Sequence, residues 1–151
     1  MGFWGFLVAA KMDEPTGLTD VLSTEDIGGG WRLFQTGGSG DPGQLAQRLS
    51  AQTGQPALAA FVLDSDCAVL AGATSPADGW QIAVHPATLE DYGAPTDDFL
   101  DGQAAVDAAL GWSRAAGFAP DPGTVATAIA AHEVLAEETT TALIRVLSGS
   151  R

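Results

Sequence analysis

The chain has 151 residues, enough for one domain whose core hides about 70% of the surface the unfolded form exposes, so neither a metal nor a disulfide staple is required. Nineteen acidic against six basic residues give a net charge of −13, a field that repels nucleic acid and anionic membranes and draws basic partners. No run approaches the roughly 20 apolar residues of a membrane helix, and Cys67, the single cysteine, excludes an internal disulfide and fits a reducing compartment.

The opening MGFWGFLVAA carries no positive leader and is followed by Lys11, Asp13 and Glu14 in place of a cleavage site, so a cytoplasmic protein is expected. Over residues 2–10, Phe3, Gly5, Leu7 and Ala9 alternate with Trp4, Phe6, Val8 and Ala10, the pattern of a buried first strand. Glu14-Pro15 and Gly17 mark a turn, and the polar stretch up to Gly30 reads as loop, relieved only by Leu18, Val21, Leu22 and Ile27. A short strand, WRLFQ, follows from Trp31 to Gln35 between glycines.

At Asp41-Pro42-Gly43 an aspartate can cap a helix whose first residue is proline; the helix is expected to run to Thr53 and stop at Gly54. Leu45, Leu49 and the alanine between them would face a sheet, leaving Gln44, Gln47, Arg48 and Gln52 to water. The next stretch, PALAAFVLDSDCAVLAGAT, is the one around which the rest is arranged. It reads as two apolar strands, Ala57–Leu63 and Cys67–Ala73, joined at the tight corner Asp64-Ser65-Asp66. Neither strand alternates cleanly, which places both near the middle of a sheet covered on both faces, or on one face and by loops. Cys67 in mid-strand is then a small buried hydrophobe.

Residues 75–79 make a turn, and a strand from Trp80 to His85 sets Trp80, Ile82 and Val84 against Gln81, Ala83 and His85, continuing an antiparallel meander. Pro86 ends it, with one short helical turn before Gly93. Thr96 or Asp97 then caps a helix that reaches Ala116 and closes at Gly117, with Phe99, Val106, Ala109 and Leu110 on its buried side. A second Asp-Pro-Gly, Asp121-Pro122-Gly123, opens one long final helix whose apolar stripe includes Val125, Ile129, His132, Ala136 and Leu143. The fold class that results is α+β in a single domain: a mostly antiparallel sheet of about five strands, one intervening helix and two C-terminal helices packed on it.

Chemistry-bearing patterns are sparse. The glycine runs 28–30 and 37–40 lack the Lys-Ser/Thr of a P-loop and the strand-GxGxxG-helix order of a dinucleotide site, and Asp41 already occupies the helix N-terminus after the second run. No HExxH, CxxC or EF-hand spacing occurs, so no metal and no cofactor is expected. There is no GxSxG elbow, and the pairs Asp97-Asp98 and Glu137-Glu138 belong to helix faces. Asp64 and Asp66 suit a turn. His132, on its helix's apolar stripe, reads as a packed core histidine, while His85 before Pro86 reads as the more exposed of the two and the better acid–base candidate. Trp31 and Trp80 each follow glycine at a strand start, where a ring can stand at the sheet rim, and a rim aromatic in an acidic surround is how a protein-binding hot spot is built. The candidate binding set is therefore Trp31, Trp80, His85, Tyr92, Asp64 and Asp66, with no catalytic residue.

Taken together, GFWGFLVA, TGQPALAAFVLDSDCAVL and DGWQIAVH resemble small uncharacterised actinobacterial proteins, some of which sit in immunity or toxin-neutralising settings. The resemblance implies a protein-binding role and transfers no functional residue. Three classes of function follow as expectations: a non-enzymatic acidic module that binds another, basic protein; a small-molecule binder or accessory enzyme of a biosynthetic pathway with a pocket between the sheet and the C-terminal helices near His85 and Tyr92; and a structural homo-oligomer joined through the strand edge of residues 2–10.

Overall fold

The structure is a computed structural model and describes residues 2–93 and 98–149. Its strands are β1 (Gly5–Lys11), β2 (Val21–Gly28), β3 (Trp31–Thr36), β4 (Ala57–Leu63), β5 (Cys67–Ala73) and β6 (Trp80–Val84). All pair antiparallel in one open sheet of order β2-β3-β1-β4-β5-β6. The helices are α1 (Pro42–Thr53), α2 (Pro86–Asp91), α3 (Gly102–Ala115), α4 (Pro122–Ala130) and α5 (Ala136–Leu147), and the class is α+β.

Period-two alternation explains why the central strands read as continuously apolar: each face of the sheet has its own core. Leu7 and Ala9, Leu58, Ala60 and Val62, and Ala68 and Leu70 face α3, α4 and α5. The intervening Phe6, Val8 and Ala10, Ala57 and Ala59, and Ala71 and Ala73 face α1. α1 itself keeps the expected bounds, because Asp41 Oδ1 accepts the N–H groups of Gly43 at 2.8 Å and Gln44 at 3.4 Å, and Gly54 takes the left-handed conformation (φ 67°) that ends the helix. Leu45, Ala46, Leu49 and Ser50 are its buried side.

Four expectations are corrected. The polar stretch before Trp31 contains a sixth strand, β2, which pairs with β3 through two register shifts although most of its side chains are exposed; backbone pairing, not burial, makes it a strand. Arg145 of α5 straps it down with a bidentate ion pair to Glu25 that holds the carboxyl below its ordinary range, an exposed contact of about 0.5 kcal/mol. β1 is central and hydrogen-bonded to both β3 and β4, so residues 5–11 offer no free edge for a second copy. The final helix is two helices, interrupted at residues 131–135 because the Ala136 N–H donates to Ser65 O (2.8 Å) and the Glu133 N–H to Thr139 Oγ1 (2.9 Å), rather than to the preceding helical turn. The helix before it starts at Gly102 behind Asp101; the expected caps Thr96 and Asp97 lie outside the described residues, and Phe99 is half-buried ahead of the helix.

Candidate functional site

Asp64, Ser65 and Asp66 connect β4 to β5, whose last pair is Leu63 with Cys67. Asp64 (φ 51°) and Ser65 (φ 58°) both adopt the left-handed conformation, and the Asp66 N–H closes the turn on Leu63 O at 2.9 Å. The corner does more than turn the chain. Asp64 Oδ1 accepts the Gly2 N–H at 2.8 Å, Ser65 Oγ accepts the Phe3 N–H at 2.7 Å and donates to Glu137 Oε1 at 2.9 Å, and the Ser65 N–H donates to Phe3 O at 3.0 Å. The start of the chain and the start of α5 are thus both tied to this turn.

Asp66 extends the junction to α2. Its carbonyl lies 2.9 Å from His85 Nδ1, and since a carbonyl only accepts, Nδ1 is the protonated nitrogen. In that tautomer Nε2 accepts the hydroxyl proton of Thr139, 2.9 Å away, and the same hydroxyl oxygen accepts the Glu133 N–H. His85 is 4% exposed and has left-handed backbone (φ 57°) at the β6–α2 junction. His132 lies outside any helix, is exposed, and stacks on His85 with ring centroids 3.6 Å apart and planes within 8°. The two histidines are therefore reversed from expectation: α5 and the linker before it bury His85, and the helix break puts His132 in the open. Both His85 ring nitrogens thus have partners inside the protein.

The Asp66 side chain accepts from Tyr92 Oη at 2.7 Å. That hydrogen bond, aided by desolvation and the Asp66 and Asp64 charges, pushes the phenol from 10 up to about 12. Tyr92 is the sole tyrosine, so tyrosinate absorbance reads it alone. Its midpoint is expected near pH 12 in the native protein and near 10 in Asp66→Asn. Because the folded pKa is the higher one, this contact's stabilisation is complete below pH 10 and disappears as the pH rises through about 12. A native midpoint near 10 in the unsubstituted protein would rule the contact out. On the other side of Asp66, burial and then the same carboxylate raise the Cys67 thiol to about 11, which agrees with an unreactive side chain inside β5.

Tyr92 is also the outer end of a row of rings that climbs from the core. Phe6 meets Phe61 (centroids 5.2 Å), Phe61 meets Trp4 (6.3 Å), and Trp4 meets Tyr92 edge-on (6.4 Å, 76°). Trp4 is 49% exposed and Tyr92 42% exposed, so the row ends in an open aromatic pair bordered by Asp64 and Asp66.

Of the six residues read as a binding set, Asp64, Asp66, His85 and Tyr92 share this junction. Trp31 does not: it is 2% exposed, packed edge-on against Trp112 (5.7 Å) and Phe118 (5.6 Å), because it alternates in phase with Leu33 towards the helix-covered face. Trp80 is half-buried at the other end of the sheet, its indole seated over Gly72 where a Cβ would collide with it. The open tryptophan is Trp4, which sequence reasoning put in a buried strand; it precedes β1 by one residue, and only Gly5 at the strand's start hints that the chain turns there. Ser65, Thr139 and Glu137 were invisible as partners because they meet only in the fold. Among the described residues no group of three or more His, Cys, Asp or Glu side chains is placed to hold a metal ion, and no helix is long and apolar enough to cross a membrane. No known family model, no curated protein and no solved structure matches this chain.

Proposed function

We propose that this chain is a non-enzymatic protein-binding module of the cytoplasm that receives a basic partner, an effector or toxin that it neutralises or regulates, on the Trp4–Tyr92 patch. The observation that carries the reading is the open aromatic pair itself: two large rings, each more than two-fifths exposed, held in fixed relation by the Tyr92–Asp66 hydrogen bond and flanked by carboxylates. Such rings lose little conformational entropy when a partner covers them, and Trp4 offers its face to an Arg or Lys whose charge Asp64 and Asp66 complement. The net charge of −13 supplies long-range steering towards a basic surface and makes association dependent on salt.

The test is capture of partners from the source lysate by the tagged protein and by Trp4→Ala, at low and then moderate salt, followed by affinity measurement on the purified partner. A single stoichiometric basic protein is expected, released by salt, with an affinity at least about 30-fold weaker for Trp4→Ala, the loss typical of a central aromatic anchor. Retention that ignores both salt and Trp4→Ala would reject the patch.

A further inference from the structure

On the far side of the His85–His132 stack lies a cavity of about 580 Å³, walled by β6, the starts of α2 and α3, and α4 with the linker that follows it. Its volume is within the range of small-molecule sites. Ile82, Leu100, Val106 and Ile129 give it an apolar interior. One wall is fixed by the sheet: residues 99–101 run along the outer edge of β6, where the Leu100 N–H donates to Gln81 O at 2.9 Å and Leu100 bridges Ile82 in parallel. His85, held by Asp66 and Thr139, fixes another.

Beside His85, His132 and the amide of Gln103, which donates to Asp107 Oδ1 at 2.9 Å, the polar side chains lining this cavity are carboxylates. Glu90 and Asp101 line it, both are exposed, and neither carboxylate has a hydrogen-bond or ion-pair partner among the described residues; Asp101 stands at the N-cap of α3 without using its side chain to cap it. Among the described residues no Lys or Arg is in the lining. His132 contributes the edge of an imidazole whose nitrogens likewise have no partner among the described residues, since its stacking on His85 uses only the ring face. An anion entering here would meet two uncompensated carboxylates within a molecule of net charge −13. A neutral apolar molecule would gain the interior and leave the carboxylates unused.

We propose that this cavity is a binding site for a small organic cation, an amine or guanidine attached to an apolar body. The body displaces water from the Ile82, Leu100, Val106 and Ile129 surface, the cationic head lies towards Glu90 and Asp101, and His132 accepts a hydrogen bond from the head or stacks on a flat ligand. This site shares no exposed side chain with the Trp4–Tyr92 patch, so the two proposals stand or fall separately.

Titration calorimetry with three matched probes tests it: 4-phenylbutylamine, 4-phenylbutanol and 5-phenylpentanoate, which carry the same phenylbutyl body with a cationic, neutral or anionic head. The amine is expected to bind with a Kd on the order of 100 μM, as its size allows, and the carboxylate at least about tenfold more weakly, a difference of about 1.4 kcal/mol. Ala126→Phe, at an exposed position of α4 that lines the cavity, is expected to abolish amine binding without unfolding the protein. Glu90→Gln with Asp101→Asn is expected to remove the preference for the amine over the alcohol, while Trp4→Ala leaves it unchanged. Equal affinity for amine and carboxylate, no binding of any probe at millimolar concentration, or undiminished amine binding by Ala126→Phe would each overturn the proposal.

Discussion

Trp112→Ala is expected to cost about 3–5 kcal/mol of unfolding free energy, a large part of the 5–15 kcal/mol that holds an ordinary domain together. Trp112 is 1% exposed and is the largest fully buried side chain in the described structure. Its ring packs edge-on against Trp31, which in turn meets Phe118, so one truncation loosens the contact between α3 and β3 and the start of the loop after α3. The indole N–H also donates to Ala57 O at 3.1 Å, reaching a carbonyl at the start of β4. Trp112→Phe separates the two contributions: most of the ring remains but the donor is lost, and the expected cost falls to about 1–2 kcal/mol. Urea unfolding of both variants and of Trp31→Ala measures this, and the pair Trp31→Ala with Trp112→Ala should be non-additive by at least about 0.5 kcal/mol because the rings touch. A Trp112→Ala cost below about 1 kcal/mol would mean that the cavity collapses and the aromatic trio is dispensable.

What could be read in the sequence divides along a physical line. α1 was legible to the residue because Asp41, Pro42 and Gly54 act within their own turns. The β4–β5 hairpin was legible because strands covered on both faces carry apolar residues at both phases, whatever covers them. β2 was not, since an exposed edge strand such as VLSTEDIG is defined by its neighbour's hydrogen bonds and leaves no hydrophobic period. The break before Ala136 escaped for a related reason: residues on both sides are good helix formers, and of the groups that interrupt them, Thr139 Oγ1 and Ser65 O, the second comes from a distant hairpin.

The site was half legible for the same reason. Asp64 and Asp66 announced a turn, but turn chemistry does not reveal that Ser65 between them would anchor two further segments, residues 2–3 and the start of α5. The exposure of a histidine or a tryptophan at a strand end depends on which end the helices reach, a tertiary fact. Hence His85 and His132 changed places, and Trp4, not Trp31, is the ring left open.

Ser65→Ala tests whether that corner organises the molecule or merely bends it. The serine is 6% exposed and its hydroxyl serves two partners, accepting from Phe3 N–H and donating to Glu137 Oε1. Glu137 Oε2 is already buried without a partner among the described residues, so alanine would leave the whole carboxylate unsatisfied at the foot of α5. A half-buried donor and a half-buried carboxylate stripped of their partner are expected to cost about 2–4 kcal/mol together. Ser65→Gly loses the same hydrogen bonds but relieves the left-handed backbone at φ 58°, and should be more stable than Ser65→Ala by about 1 kcal/mol. Glu137→Met, added to Ser65→Ala, removes the orphaned carboxylate and should recover part of the loss, because deleting both partners is cheaper than deleting one. Hydrogen exchange at the Phe3 and Ser65 amides gives the local counterpart. If both open early in Ser65→Ala while the central strands stay protected, the N-terminal residues have come away, Trp4 has left Tyr92, and partner binding should fall with them. Should Ser65→Ala cost less than about 0.5 kcal/mol, or Glu137→Met restore nothing, the corner would be only a turn and the aromatic pair would owe its position to Phe61 and the Tyr92–Asp66 hydrogen bond.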